Sequence, residues 1–345
     1  VRGGIIAMSK LKSAIIGFGS IAQTHVEALK EGNVSKVVAV CDINPDKLES
    51  VKEACPGAKA YTDYAKLLDD RLADVIHICT PHYLHMPITV KALQTGHDVY
   101  LEKPAGMNTA EIERIIDESE KYGRKVCVSF QNRVIPSNWA AKCILESGEL
   151  GAIKGLKGIA TWHREGEYYT ESGWRGSWSK EGGGVLMNQS IHTLDLMCFL
   201  GGPINNVNGT ASLRKNRGTI EVEDTAEATL YYENGAVGIF YATNCYISDS
   251  PIELEVVCEN GSLLIRDDML YKNVNSEIEK ITENSKAIVG KSCWGVGHQI
   301  MIWNFYSVLQ GGTEYYCDIR DALPSMKAIE GIYASYSDTL VNRPF

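Results

Sequence analysis

Residues 14–25 read AIIGFGSIAQTH, an apolar run broken by Gly17 and Gly19 and followed at once by a stretch of helical character. Gly17-Phe18-Gly19-Ser20-Ile21-Ala22 fits G-x-G-x-x-A, the turn by which a strand feeds a helix whose N-terminal N–H groups face a pyrophosphate. Gly17 permits the tight turn, Gly19 lets the backbone approach phosphate, and Ala22 allows the helix to lie close to the sheet. Twenty residues beyond Ala22, Asp42 ends the apolar run KVVAVCD. A carboxylate there accepts hydrogen bonds from a ribose 2′-OH and repels a 2′-phosphate, which favours NAD over NADP. Lys47 is expected on the next helix as a solvated cation, which leaves NADP the lesser alternative.

The pattern around this turn repeats. SAIIGF, KVVAVCD, VIHICT, DVYLEK and KVCVSF are strand candidates separated by helical stretches, the pattern of a doubly wound parallel sheet covered on both faces. After Phe130 the texture changes. A helical stretch, NWAAKCILESGEL, precedes IKGLKGIATWH and a Gly- and Trp-rich segment at 171–184. Alternating strand-like runs follow, with ENG turns at 233–235 and 259–261, which predicts one mainly antiparallel open sheet. Helix returns at about 295–310 and 320–341. The expected fold is α/β, with a dinucleotide-binding domain at 8–130 and a substrate-binding and oligomerisation domain at 131–345. The last helix is expected to pack back on the first domain, and the cleft between the domains is the expected ligand site.

A chain of 345 residues exceeds the usual span of a single core, in keeping with two domains. Its net charge of −9 argues against a broad nucleic-acid surface, and no apolar run reaches the roughly 20 residues that cross a bilayer. The ten cysteines form no CxxC pair and no Cys/His cluster at zinc spacing, so reduced thiols in a cytoplasmic protein without a metal site are expected. Residues 1–7 read as a leader ahead of a start at Met8.

Two further constellations carry chemistry. Glu102, Lys103 and Pro104 end an apolar strand at the carboxyl edge of the sheet, where open α/β sheets bind ligands. In GGGVLMNQSIHTLDL, residues 182–196, Asn188, His192 and Asp195 follow three glycines at i, i+4 and i+7, which on a helix shares one face. Three polar groups on that face are hard to explain as core.

With these motifs the chain resembles the Gfo/Idh/MocA family, the glucose–fructose oxidoreductase and inositol dehydrogenase group. The resemblance rests on GFGSIAQTH at 17–25, TPHYLH at 80–85, EKP at 102–104, WRG at 174–176, GGGVLMNQSIHTLD at 182–195 and GHQIMIWNFY at 297–306, in that order. It implies oxidation or reduction of a sugar or cyclitol hydroxyl with NAD(P), with Lys103 and His192 as the catalytic pair. It further implies pairing of chains through the open sheet, as a homodimer or homotetramer. Members resembling inositol dehydrogenase carry Asp where this chain has Asn188, which cannot take a charge; Lys103 or the substrate then shares more of the acid–base work.

The expected reaction moves a hydride between a carbinol carbon and the nicotinamide while His192 takes the hydroxyl proton, Lys103 donates to the reacting oxygen and Asn188 fixes the histidine or a neighbouring hydroxyl. Thr80, Pro81, His82, Tyr83 and His85 follow a strand at the same sheet edge and, with Glu102, border the nicotinamide. Trp162, His163, Trp174 and Arg175 are candidates to line a sugar site, and His298 is a minor one. Three rivals use the same fold: a glycoside-cleaving enzyme with an internal redox cycle, a tetrapyrrole reductase, and a non-catalytic NAD-binding sugar sensor.

Overall fold

The computed structural model describes residues 10–266, 269–283 and 296–341; the proposed leader at 1–7 and Met8 lie outside them. The first strand, β1 (Leu11–Ile16), shows why the first unit is layered. Ile15 packs with Phe18, Ala22, Val26 and Val40 on one face, while Ala14 and Ile16 join the large core on the other. A strand apolar on both sides needs helices on both sides. They are supplied in alternation: α1 (Ser20–Glu31), β2 (Ser35–Cys41), α2 (Pro45–Ala54), β3 (Lys59–Tyr61), α3 (Tyr64–Asp69), β4 (Val75–Ile78), α4 (His85–Gln94), β5 (Asp98–Leu101), α5 (Thr109–Tyr122) and β6 (Val126–Val128). The strands run parallel in the order β3-β2-β1-β4-β5-β6, the dinucleotide-binding arrangement whose crevice opens at the carboxyl ends of β1 and β4. The short β3 is absent from the sequence reading because three residues, Lys-Ala-Tyr, present no apolar run.

The chain then passes through α6 (Pro136–Ser147), β7 (Ile153–Thr161), α7 (Gly166–Thr170), α8 (Trp178–Glu181) and α9 (Ile191–Gly201). The remaining strands are β8 (Ile204–Ser212), β9 (Thr225–Tyr232), β10 (Val237–Thr243), β11 (Glu253–Cys258), β12 (Gly261–Arg266), β13 (Met269–Val274) and β14 (Glu277–Glu283). They form one sheet in the order β14-β13-β12-β11-β7-β10-β9-β8, antiparallel except for β7 beside β10. Both ENG turns close hairpins, β9–β10 and β11–β12. Burial alternates with period two along β7, β9 and β10, so one face carries the core. Helix α9 lies on that face, with Met197 so close to Gly158 that a Cβ there would fall 2.4 Å from its sulfur.

Two late helices tie the units together. In α10 (Gly297–Leu309), Trp303 Nε1 donates to the carbonyl of Ala28 on α1 at 2.8 Å, and the Tyr306 hydroxyl meets Ser13 of β1 at 2.7 Å. In α11 (Leu323–Val341), Glu330 accepts from the main-chain N–H of Thr109 at the start of α5. Asp195, read from its spacing as part of the site face, instead takes both ends of the Arg133 guanidinium at 2.7 and 2.8 Å. Arg133 follows β6 and Asp195 sits on α9, so this buried pair joins the two units.

Candidate active site

The first turn of α1 is left open. Gly19 is its N-cap without a side-chain hydrogen bond, and a Cβ built there meets nothing within 4 Å. The unpaired N–H groups of that turn and the space beside them fit a pyrophosphate. Gly17 has φ +87°, and a Cβ there would lie 2.6 Å from the Cys79 carbonyl, so the turn tolerates only glycine. Phe18 and Ala22 are buried beneath the turn, while Ser20 and Ile21 face the cavity. At the end of β2, Asp42 accepts from Phe18 N at 2.7 Å and Asn44 N at 2.8 Å. Lys47 is not simply solvated: its ammonium stands 3.7 Å from Asp42 and lines the same cavity.

That cavity, about 490 Å³, runs from Asp42 past the glycine turn to the second unit. Thr80 contributes a buried hydroxyl with no hydrogen-bond partner to its wall. His82 and His85 flank it, His82 with one ring nitrogen engaged and His85 with both. His82 Nδ1 meets the Glu181 carbonyl at 2.8 Å, and His85 bridges the carbonyls of Thr80 and Pro104. These imidazoles shape the wall. Pro81 and Tyr83 complete it on this side.

Lys103, whose peptide bond to Pro104 is cis, points across to the second unit. Its Nζ donates to the main-chain carbonyl of Asn188 at 2.9 Å and to Asn188 Oδ1 at 3.3 Å. Asn188 does not lie on the helix that its spacing suggested, because α9 begins only at Ile191 and the glycine run ends in tight turns. His192, in the first turn of α9, also faces the cavity, and its Nδ1 has no partner among the described residues. Burial, reinforced by the nearby Lys103 charge, pushes the His192 imidazole well below its usual range. It is therefore neutral at neutral pH, the form that accepts a proton.

Behind Lys103, Glu102 accepts from His25 Nε2 at 3.0 Å and has His298 Nε2 at 3.6 Å. Burial pushes its carboxyl up, but the two imidazoles outweigh that and hold it well below the usual carboxylate range. The donor atoms of His25, Glu102 and His298 lie within 4.8 Å of one another, near enough for a metal ion, a proximity that spacings of 77 and 196 residues conceal. Glu102 here meets His25 by a hydrogen bond, with His298 close to the same carboxylate oxygen. His25 continues through His77 to Tyr306, a buried chain behind Glu102 and His298, which do line the cavity.

The sugar-side candidates divide. Trp162, Trp174 and Arg175 line the cavity, Arg175 with its guanidinium 4.4 Å over the Tyr168 ring. His163 does not line it; its ring is engaged by the Tyr246 carbonyl and Glu165, because alternation along the end of β7 turns it away. Sequence reasoning missed Arg164, Tyr168, Gln189 and Glu181. The Tyr168 hydroxyl accepts from Gln189 Nε2 at 2.9 Å and Asn188 Nδ2 at 3.3 Å. Glu181 takes Asn188 Nδ2 at 2.6 Å, and its place just before the glycine run was the only signal available.

The Gly182–Gly184 run before α9 hangs from Glu223, which accepts from Gly184 N at 2.9 Å and Leu186 N at 3.0 Å. Burial pushes the Glu223 carboxyl up to about 7, against the pull of those N–H groups. The unfolded chain ionises near its ordinary value of about 4.3. Stability from this group is therefore fully present below about pH 4 and is lost as pH rises through about 7, a change of roughly 4 kcal/mol. Thermal unfolding of Glu223→Gln is expected to lack that slope; an identical slope in both proteins would assign it elsewhere.

Comparison with known proteins agrees with this architecture. Residues 11–130 match the model of the GFO/IDH/MocA oxidoreductase family with NAD-binding Rossmann fold, and residues 139–264 match the GFO/IDH/MocA C-terminal domain. The chain is 24% identical to a myo-inositol 2-dehydrogenase of Thermotoga maritima, over 66% of this chain and 67% of that one. It is 29% identical to a D-glucoside 3-dehydrogenase of Escherichia coli K12, over 66% and 69%. Among solved structures, the WlbA dehydrogenase of Bordetella pertussis, in complex with NADH and UDP-GlcNAcA, is 27% identical with a TM-score of 0.83, covering 96% of this chain and 97% of that one.

Proposed function

The chain belongs to the Gfo/Idh/MocA oxidoreductase family, and from that premise we propose that it transfers a hydride between a hydroxyl-bearing carbon of a sugar, cyclitol or sugar derivative and NAD. The observation that carries this is the convergence of the Lys103 ammonium and the neutral His192 imidazole on one cavity continuous with the open glycine turn and Asp42. Bound nicotinamide supplies the hydride acceptor or donor. His192 takes the proton of the reacting hydroxyl, and Lys103 donates to that oxygen and favours the negative charge it develops. Asn188 holds Lys103, and the aromatic faces of Trp162 and Trp174 suit the C–H-rich side of a sugar ring.

The test is absorbance at the NADH band while the protein and NAD⁺ meet cyclitols, aldoses, glycosides and nucleotide sugars. A steady rise with one class supports a dehydrogenase. A flat trace despite tight cofactor binding overturns it in favour of an internal redox cycle or a sensor.

Asp42 supports NAD over NADP. Removing its carboxylate in Asp42→Ala deletes acceptors worth roughly 1.5–3 kcal/mol to a ribose diol and frees Lys47. The preference ratio from steady-state kinetics is expected to narrow at least about tenfold, and an unchanged ratio rejects the assignment.

The open face of the second sheet supports pairing of two chains. Val257, Gly155, Val237 and Tyr231 are neighbours across β11, β7, β10 and β9, and nearby Ile239 is 60% exposed. Light scattering at the mass of one chain counts against a dimer or tetramer. A cytoplasmic setting is supported by cysteines that are free thiols throughout the described residues.

A further inference from the structure

At position 188, where members resembling inositol dehydrogenase usually carry a carboxylate, the chain has an amide, and a carboxylate, Glu181, stands one side chain further out. Glu181 ends α8 and is 1% exposed. One of its oxygens accepts from Gly176 N and the other from Asn188 Nδ2, both at 2.6 Å. Asn188 Nδ2 also donates to the Tyr168 hydroxyl, so Oδ1 is turned to Lys103 Nζ at 3.3 Å. Reversing this amide would set Oδ1 against a carboxylate and Nδ2 against an ammonium. Both contacts are repulsive, and an ionised Glu181 excludes that orientation.

We infer that Glu181 is a positioning residue of the reacting site: through Asn188 it turns an acceptor toward Lys103 and supports the ammonium with a negative charge one amide away. This rests on the reading of Lys103 and His192 as the reacting pair. Burial raises the Glu181 carboxyl, and the Gly176 N–H, the Asn188 amide, and the Arg175 and Lys103 cations offset part of that rise in favour of its ionised form. The other titratable neighbours of Glu181 are Tyr168, Tyr169 and Tyr333. Lys103 in turn faces the imidazoles of His82, His85 and His192 and follows Glu102 in the chain.

Glu181→Gln keeps the shape, removes the charge and sets an amide N–H against Gly176 N or Asn188 Nδ2. Its kcat is expected to fall about tenfold with the KM for NAD⁺ unchanged. With isotope-labelled lysine, the Lys103 Nζ resonance, assigned by its loss in Lys103→Arg, is expected to titrate at lower pH once the anion is gone. The decisive variant is the charge swap, Glu181→Gln with Asn188→Asp, which returns a carboxylate to Lys103. It is expected to recover at least about tenfold over the product of the two single losses, a rescue that a purely structural Glu181 would not permit.

Asn188→Asp alone keeps the inference testable where Glu181→Gln does not fold. Two carboxylates at hydrogen-bonding distance share a proton, so a new ionisation enters the pH profile and disappears in the double variant. Multiplying losses in the swap, an unmoved Lys103 titration, or no new ionisation in Asn188→Asp each overturns the inference. Full turnover in Lys103→Ala would instead overturn the reading on which it rests.

Discussion

His192→Ala lowers kcat by roughly 10²–10⁴ while the protein still binds NADH, because it removes a positioned proton acceptor without touching the glycine turn or Asp42. Burial and the Lys103 charge keep this imidazole neutral, so wild-type turnover stays high through neutral pH. The activity loss that reports protonation of His192 is expected only on the acid side of an ordinary histidine titration. Lys103→Ala is expected to fall by a similar factor, and the double variant by little more than either single one, since in the proposed reaction both groups act on one oxygen. Steady-state kinetics over a pH series, with NADH fluorescence as the binding control, reads all three. Turnover of His192→Ala within about tenfold of wild type would remove it from the reaction.

Asp195→Ala is expected to cost about 3 kcal/mol of stability, because it takes the bidentate carboxylate from the Arg133 guanidinium, which is 3% exposed, and leaves it only the more exposed Asp321 carboxylate at 3.3 Å. The pair is bidentate, and Arg133 is further held by the Asp321 carbonyl at 2.8 Å and the Tyr315 hydroxyl at 3.0 Å. Its guanidinium also stacks 4.9 Å from the Phe199 ring. Replacing both charges, Arg133→Met with Asp195→Leu, is expected to cost less than Asp195→Ala alone, since no buried ion is then left unpaired. Denaturant unfolding of the two variants makes the comparison. Because α9 carries both Asp195 and His192, the single variant is expected to lose activity below its unfolding temperature as well. A loss under about 1 kcal/mol would mean that the pair is replaceable by water.

The residues that the sequence singled out are those whose chemistry is local. A strand that must turn into a helix within Gly17–Ala22 needs glycine where φ is positive, and it shows as G-x-G-x-x-A wherever the rest of the chain goes. Asp42 and Lys103 could be placed because each ends an apolar run, and strands of a parallel sheet end on one edge. The period of His192 and Asp195 put both on one helix, which they share, but a period does not name partners. His192 faces the cavity, whereas Asp195 faces an arginine 62 residues earlier in the chain.

The rest depends on contacts between distant segments. Asn188 left the helix because its backbone is drawn into turns by Glu223, on the far side of a strand connection. His163 turned outward to Tyr246 and Glu165, and Glu181 entered the site through the amide of Asn188. The parallel pairing of β7 with β10 inside an otherwise antiparallel sheet was equally hidden. Backbone conformation and apolar period are properties of neighbours in the chain, so the two-unit α/β plan, the glycine turn after β1 and the placing of Lys103 at the sheet edge were legible from the residues alone. Side-chain direction and charge pairing are settled by whichever groups tertiary packing brings within hydrogen-bond reach, and for this reason the carboxylate behind Asn188, the Arg133–Asp195 tie and the Glu102 cluster emerged only in the folded chain.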